Sequence, residues 1–137
     1  MNHRRLQILC WPSLAGALAL GCAIGAEPSI SASELAGRIE AGTAPTIVDV
    51  RSGSEFAESH VPGAVHVPFL DVDERAGELG VGPDETVVVY CAHGPRAAWA
   101  RRSFAAAGIT RVVYLEGHMS GWLDRGLPVE QGSGSSP

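Results

Sequence analysis

Cys91, Gly94 and Arg96 are spaced so that a cysteine thiolate could act as a nucleophile and handle an anion, with Ala92, His93 and Ala97 filling the same short loop. The reactive form of cysteine is the thiolate, which needs nearby donors or cations to persist near neutral pH. Five strand-favouring residues, Thr86 to Tyr90, lead into Cys91. That is the pattern of a strand buried on both faces of a parallel sheet. Gly94 and Pro95 make a turn, and an alanine-rich segment from about Pro95 to Ala107 favours a helix. Pro95 suits a first helical turn, where its missing N–H would go unpaired anyway. The order strand, loop, helix places Cys91 at the carboxyl end of a central strand, facing a helix N-terminus. Open α/β sheets bind ligands there, and free N–H groups with the helix dipole favour an anion. A thiol so placed is expected to ionise below the free value of about 8.5. A strand-end cysteine can also be simply a small buried hydrophobe, but an inert thiol has no use for a tight cationic loop.

The rest of the chain limits what surrounds this loop. Arg4 and Arg5 precede a stretch from Leu6 to Ala26 without a charge, which reads as an export signal over residues 1–26. Cleavage after Gly25 or Ala26 gives a periplasmic or secreted protein. Leu18-Ala19-Leu20-Gly21-Cys22 offers a loose lipobox with Cys22 as the lipidated residue, and an uncleaved segment of this length would serve as a membrane anchor. On this reading the membrane is met only through the N-terminal segment. Cys10 and Cys22 belong to that segment, so Cys91 is the lone thiol of the mature domain, and an unpaired cysteine in an oxidising compartment suggests use. The formal net charge is −5, made more negative by loss of Arg4 and Arg5, which argues against nucleic acid or an anionic membrane surface as partner. No CxxC or His/Cys cluster proposes a metal site.

Helices and strands alternate along residues 27–130, enough for one domain. Ser31 with Glu34, and Ser52 with Glu55, are spaced as capping boxes that open helices through Leu35 and Ile39, and through Phe56. Thr46 to Val50, Val65 to Val67, Thr86 to Tyr90 and Val112 to Leu115 read as strands, Asp71 to Leu79 as a helix, and Ser120 to Arg125 as a final helical turn with Trp122 inward. Residues 131–137 are rich in Gly and Ser and are expected to be a disordered tail. The pattern predicts an α/β fold with a mainly parallel central sheet and helices on both faces.

These residues resemble a single rhodanese domain, the sulfurtransferase fold, over roughly Ile30 to Val129. The landmarks are Ile30-Ser31 with Glu34-Leu35, Asp49-Val50-Arg51, Glu55-Phe56, His60-Val61-Pro62-Gly63-Ala64, Tyr90-Cys91 with Gly94 and Arg96, Leu115-Glu116-Gly117 and Gly121-Trp122. The resemblance implies a cofactor-independent sulfurtransferase. Cys91 would take a sulfane sulfur from thiosulfate or another persulfide donor and hold it as a persulfide. It would then pass the sulfur to cyanide or a thiol, including the thiol of a protein partner. Ala92, His93, Gly94, Arg96 and Ala97 would bind the substrate, their backbone N–H groups forming an anion nest. Arg96 has two readings, closing the loop through its carbonyls or touching substrate.

The spacing C-x4-R is one residue shorter than the C-x5-R of related cysteine phosphatases and arsenate reductases, which favours sulfur over a tetrahedral oxyanion. A persulfide carrier or sensor module is the non-enzymatic alternative. Many thiosulfate-using members carry Arg directly after the cysteine, where this chain has Ala92, and Pro95 removes one N–H from the cradle. Thiosulfate is therefore expected to be a poor donor. Asp49 and Arg51 read as a strand-end ion pair or as supports of the loop, His60 as a turn-stabilising partner or a substrate contact, and His66 as structural. Trp99 and Trp122 read as helix-face or core residues. His118 replaces a glycine common in the family on a loop expected beside Cys91.

Overall fold

A computed structural model describes residues 25–133. In chain order these form β1 (Ser29–Ile30), α1 (Ala32–Glu40), β2 (Thr46–Asp49), α2 (Gly53–Glu58), β3 (Val65–His66), α3 (Val72–Arg75) running into a 3-10 turn (Ala76–Leu79), β4 (Val87–Tyr90), α4 (Pro95–Ala106), β5 (Val112–Leu115) and α5 (His118–Asp124). The five strands make one sheet in the order β1-β5-β4-β2-β3, and every pairing is parallel. The expected α/β architecture with helices on both faces is the observed one. The expected export segment lies almost wholly outside the described residues.

β4 is the central strand, and all four of its residues are fully buried. Its side chains alternate between two cores with the period of two that a pleated strand imposes. Val87, Val89 and, just past the strand, Cys91 join Val48, Val50, Val72, Ala100 and Phe104 on the α3–α4 side. Val88 and Tyr90 join Leu35, Ile47, Phe56, Met119 and Trp122 on the side of α1, α2 and α5. Phe104 is fully buried, a burial that contributes about 1.5–3 kcal/mol. From β2 the chain crosses to the edge strand β3, whereas from β4 it crosses to β5 on the opposite side. The crevice between the carboxyl ends of β2 and β4 is therefore a topological switch point, the position at which such sheets bind ligands.

Local sequence signals set most helix starts. Ser52 and Glu55 close a reciprocal capping box at α2. Ser31 makes only half of one: its Oγ accepts the Glu34 N–H, but the Glu34 carboxylate turns to Arg38 four residues on. β1 is absent from the sequence reading, because two residues carry no period and exist as a strand only by pairing with β5. α5 begins at His118 rather than Ser120, since the Met119 and Ser120 N–H groups donate to the carbonyls of Cys91 and Ala92. Backbone pairing between His60 and Glu130, and the Gly132 N–H donated to the Ala57 carbonyl, tie the chain to the domain as far as Gly132.

A buried polar network occupies the β2 side of the switch point. Arg51 Nε and Nη2 donate to the carboxylate of fully buried Asp49, with Nη2 at 2.6 Å from Oδ2, and Nη2 also donates to the Ser59 carbonyl at 2.7 Å. The guanidinium lies 5.7 Å from the centre of the Tyr90 ring, and the Tyr90 hydroxyl accepts the Val61 N–H. Burial and the Asp49 carboxylate push the Tyr90 hydroxyl far above the usual phenol range. Removing one partner of a buried ion pair leaves an uncompensated charge. Asp49→Ala is expected to cost about 3–5 kcal/mol of unfolding free energy, and adding Arg51→Met should recover a large part of it. Urea denaturation of both variants measures this; a double variant no more stable than the single one would show that stranded charge is not the cause.

Candidate active site

The loop after β4 wraps its own cysteine. Cys91 is only 1% exposed, held on the α3–α4 side by the alternation of β4. Three residues on, Gly94 takes φ +130° and ψ −47°, a conformation that L side chains rarely adopt. A Cβ there would begin 3.3 Å from the His118 Nε2, a tight contact that adds to the backbone demand for glycine. The turn aims the Gly94 N–H at Cys91 Sγ, 2.9 Å away. Pro95 then starts α4, so the sulfur faces the first turn of a twelve-residue helix. Burial pushes the thiol up. A hydrogen bond from His118 and the N–H groups of Ala97, Gly94 and His93 outweigh it and bring the Cys91 pKa down to about 7. Of the residues 92–97 expected to form a nest, Gly94 donates its N–H to Sγ, and Pro95 contributes no donor.

Arg96 does something other than either sequence reading. Its Nη1 and Nη2 donate to Glu55 Oε2 and Oε1 at 2.7 and 2.9 Å, a bidentate pair across the switch point. The loop is closed through a carboxylate on α2 instead of through its own carbonyls, and the guanidinium charge is matched at once. Glu55 also accepts the Ser52 N–H and hydroxyl, so one carboxylate caps α2 and anchors the first turn of α4. The Arg96 guanidinium, together with the Ser52 donors, holds the Glu55 carboxyl well below the usual carboxylate range against a smaller upward push from burial. Sequence reasoning missed this role. The capping box already accounted for Glu55, and nothing local links it to a residue forty-one positions later.

His118 stands beside the cysteine, as its loop position suggested. Its Nδ1 accepts the Cys91 backbone N–H at 3.3 Å, and its ring is half-buried. The other candidates are elsewhere. Asp49 and Arg51 belong to the buried network of β2. His60 is stacked on Phe56 with ring centroids 3.7 Å apart, and its Nδ1 meets the Phe56 carbonyl at 2.8 Å, which makes it a turn anchor. His66 meets the Arg51 carbonyl at 2.8 Å. Trp122 is buried and donates its Nε1–H to the Pro128 carbonyl, whereas Trp99 is 58% exposed on the outer face of α4. Ala92 is half-buried and His93 exposed at the loop's outer edge.

The Cys91 sulfur, taking the Gly94 N–H, thus sits at the switch point of a parallel α/β sheet. The family model of the rhodanese-like domain matches residues 31–125, and the chain belongs to that family. It is similar to a sulfurtransferase of Allochromatium vinosum, 32% identical over 61% of this chain and 76% of the relative. It is also similar to the thiosulfate sulfurtransferase GlpE of Actinobacillus pleuropneumoniae, 32% identical over 62% and 77%. Some curated relatives are larger: the chain spans about half the length of YrkF of Bacillus subtilis and of the HTH-type transcriptional regulator Rv0324 of Mycobacterium tuberculosis. The crystal structure of the Alr3790 protein from Anabaena superposes with a TM-score of 0.68, 30% identical over 75% of this chain and 92% of that one.

The lowered thiol sets a pH profile. The thiolate reacts and the thiol does not, so alkylation of Cys91 by iodoacetamide should rise with pH and reach half its plateau at about 7. A midpoint near the free-cysteine value of about 8.5 would show that the nest does not hold the anion.

Proposed function

We propose that this domain is a sulfurtransferase that carries a sulfane sulfur as a persulfide on Cys91 and takes it from a monoanionic persulfide in preference to dianionic thiosulfate. The observation that carries the reading is the Cys91 Sγ held by the Gly94 N–H at 2.9 Å in a nest of backbone donors. Loading is a displacement. The Cys91 thiolate attacks the terminal sulfur of R–S–S⁻, the new S–S bond forms, and the old one breaks with its electron pair leaving on R–S⁻. The backbone dipoles that favour the thiolate suit the terminal sulfur equally.

The donor preference follows from charge. Arg96 is the one permanent cation of the loop, and Glu55 neutralises it. Ala92 adds none, and the protein as a whole carries −5. Neutral dipoles suit a single negative charge better than the two of thiosulfate. Sulfurtransferase relatives support the reaction class, and a relative named as a sulfur carrier supports a second reading, delivery of the persulfide to a protein thiol without rapid turnover. The arginine pair and the uncharged stretch behind it support export through residues 1–26.

Incubation with cysteine persulfide should add one sulfur atom to Cys91, read by mass spectrometry of the intact protein, and thiosulfate should do so more slowly. Cys91→Ser should take up none, and an equal uptake would remove Cys91 from the mechanism. Ala92→Arg should lower the KM for thiosulfate, with a gain that shrinks as salt rises. Glu55→Gln should also lower that KM by freeing Arg96 for the anion, while kcat falls by about tenfold as the loop loses its closure. A KM unmoved by either change would overturn the electrostatic account of donor choice.

A further inference from the structure

Among the described residues His118 is the single non-glycine residue with positive φ, at +53°. L side chains avoid this region, and they persist there where the surroundings over-determine the backbone. The surroundings do so here. The Met119 N–H donates to the Cys91 carbonyl at 2.9 Å, the Ser120 N–H to the Ala92 carbonyl at 3.3 Å, and the Ser120 hydroxyl to the Gly117 carbonyl at 3.2 Å. A glycine would meet every one of those backbone demands without strain. The imidazole must therefore be accounted for by what the ring does.

The ring is oriented by its own contacts. Nδ1 accepts the Cys91 N–H, so a neutral imidazole keeps its proton on Nε2. Nε2 faces the Gly94 turn of the cradle, 3.3 Å from the point where a side chain at residue 94 would begin. Within the loop Pro95 has no N–H to give and Arg96 is committed to Glu55. We propose that His118 is a catalytic residue, donating its Nε2–H to the sulfur carried by Cys91 and stabilising the thiolate that leaves when the sulfane sulfur passes to a thiol acceptor. The inference rests on the persulfide reading above. In the step it assists, an acceptor R–S⁻ attacks the outer sulfur of the Cys91 persulfide, and the R–S–S bond forms. The Cys91 S–S bond breaks with its electron pair retained on Sγ, and the transferred sulfur keeps the negative charge it carried on Cys91. Nothing is consumed besides the acceptor, and the charge moves from R–S⁻ to a cysteine whose Sγ already takes the Gly94 N–H.

The titratable and charged groups around the ring are few. Cys91 is bonded to it, and Tyr114 of β5 is tilted against it at 6.2 Å with Arg101 of α4 over the Tyr114 ring. Arg125 of α5 donates to the Gly121 carbonyl, and His93 lies on the loop. The test compares the parent with His118→Gly, which relieves the backbone strain, and His118→Asn, which tolerates positive φ and restores an amide donor. Three quantities are read: melting temperature, the pH midpoint of Cys91 alkylation, and the rate at which persulfide loaded from cysteine persulfide passes to dithiothreitol. His118→Gly should melt at the parent temperature or above it, shift the alkylation midpoint from about 7 toward the free value of about 8.5, and slow transfer at least about tenfold. His118→Asn should recover part of the rate. An unchanged midpoint and rate in His118→Gly would overturn the proposal, as would a loss of melting temperature and activity together that Asn does not relieve. A parent that never loads sulfur would instead refute the persulfide reading, and the alkylation midpoint would still decide whether His118 solvates the sulfur.

Discussion

A charged sulfur at 1% exposure has lost nearly all its water, and the protein must replace that solvation with donors fixed in advance. This constraint organises the carboxyl end of the sheet. Desolvation alone drives the Cys91 thiol upward, and donors of the loop, the Gly94 N–H at 2.9 Å among them, bring it down to about 7. Dipoles held by a helix and a strand need no reorganisation when charge appears or departs, the condition under which electrostatic stabilisation is most effective.

The Glu55–Arg96 pair shows how that loop is held without adding net charge. A guanidinium free in the loop would attract multiply charged anions and would also leave the first turn of α4 unanchored. Joined bidentately to a carboxylate that already caps α2, it links the two helix starts on either side of the switch point. The planar fork suits this geometry in a way that an ammonium cannot match. What remains for the sulfur is a field of dipoles.

A second polar network lies on the β2 side of the crevice and is built differently. Asp49, Arg51 and the Ser59 carbonyl satisfy one another in the interior, the Tyr90 hydroxyl takes the Val61 N–H, His66 meets the Arg51 carbonyl, and His60 locks the neighbouring turn through Phe56 and Glu130. Among the described hydrogen bonds none joins this network to Cys91. It fixes the ends of β2 and β3, and so the crevice wall, while the reactive group depends on the β4 loop and on the turn before α5.

The sequence by itself determined the α/β alternation, the buried central strand, the helix from Pro95, and the position of Cys91 between them. These are local quantities: a run of strand-favouring residues, a glycine and proline at fixed offsets, an alanine-rich stretch. It also marked His118, because an imidazole stood where the resemblance implied glycine. The fold alone decided the partner of Arg96 and the start of α5. It also made Ser29–Ile30 a strand and assigned Asp49 and Arg51 to a closed network away from the sulfur. Each of those outcomes rests on atoms far apart in the chain that only parallel crossovers bring together, and a side chain such as Glu55, already accounted for by its neighbours, carries no local trace of a second, distant bond.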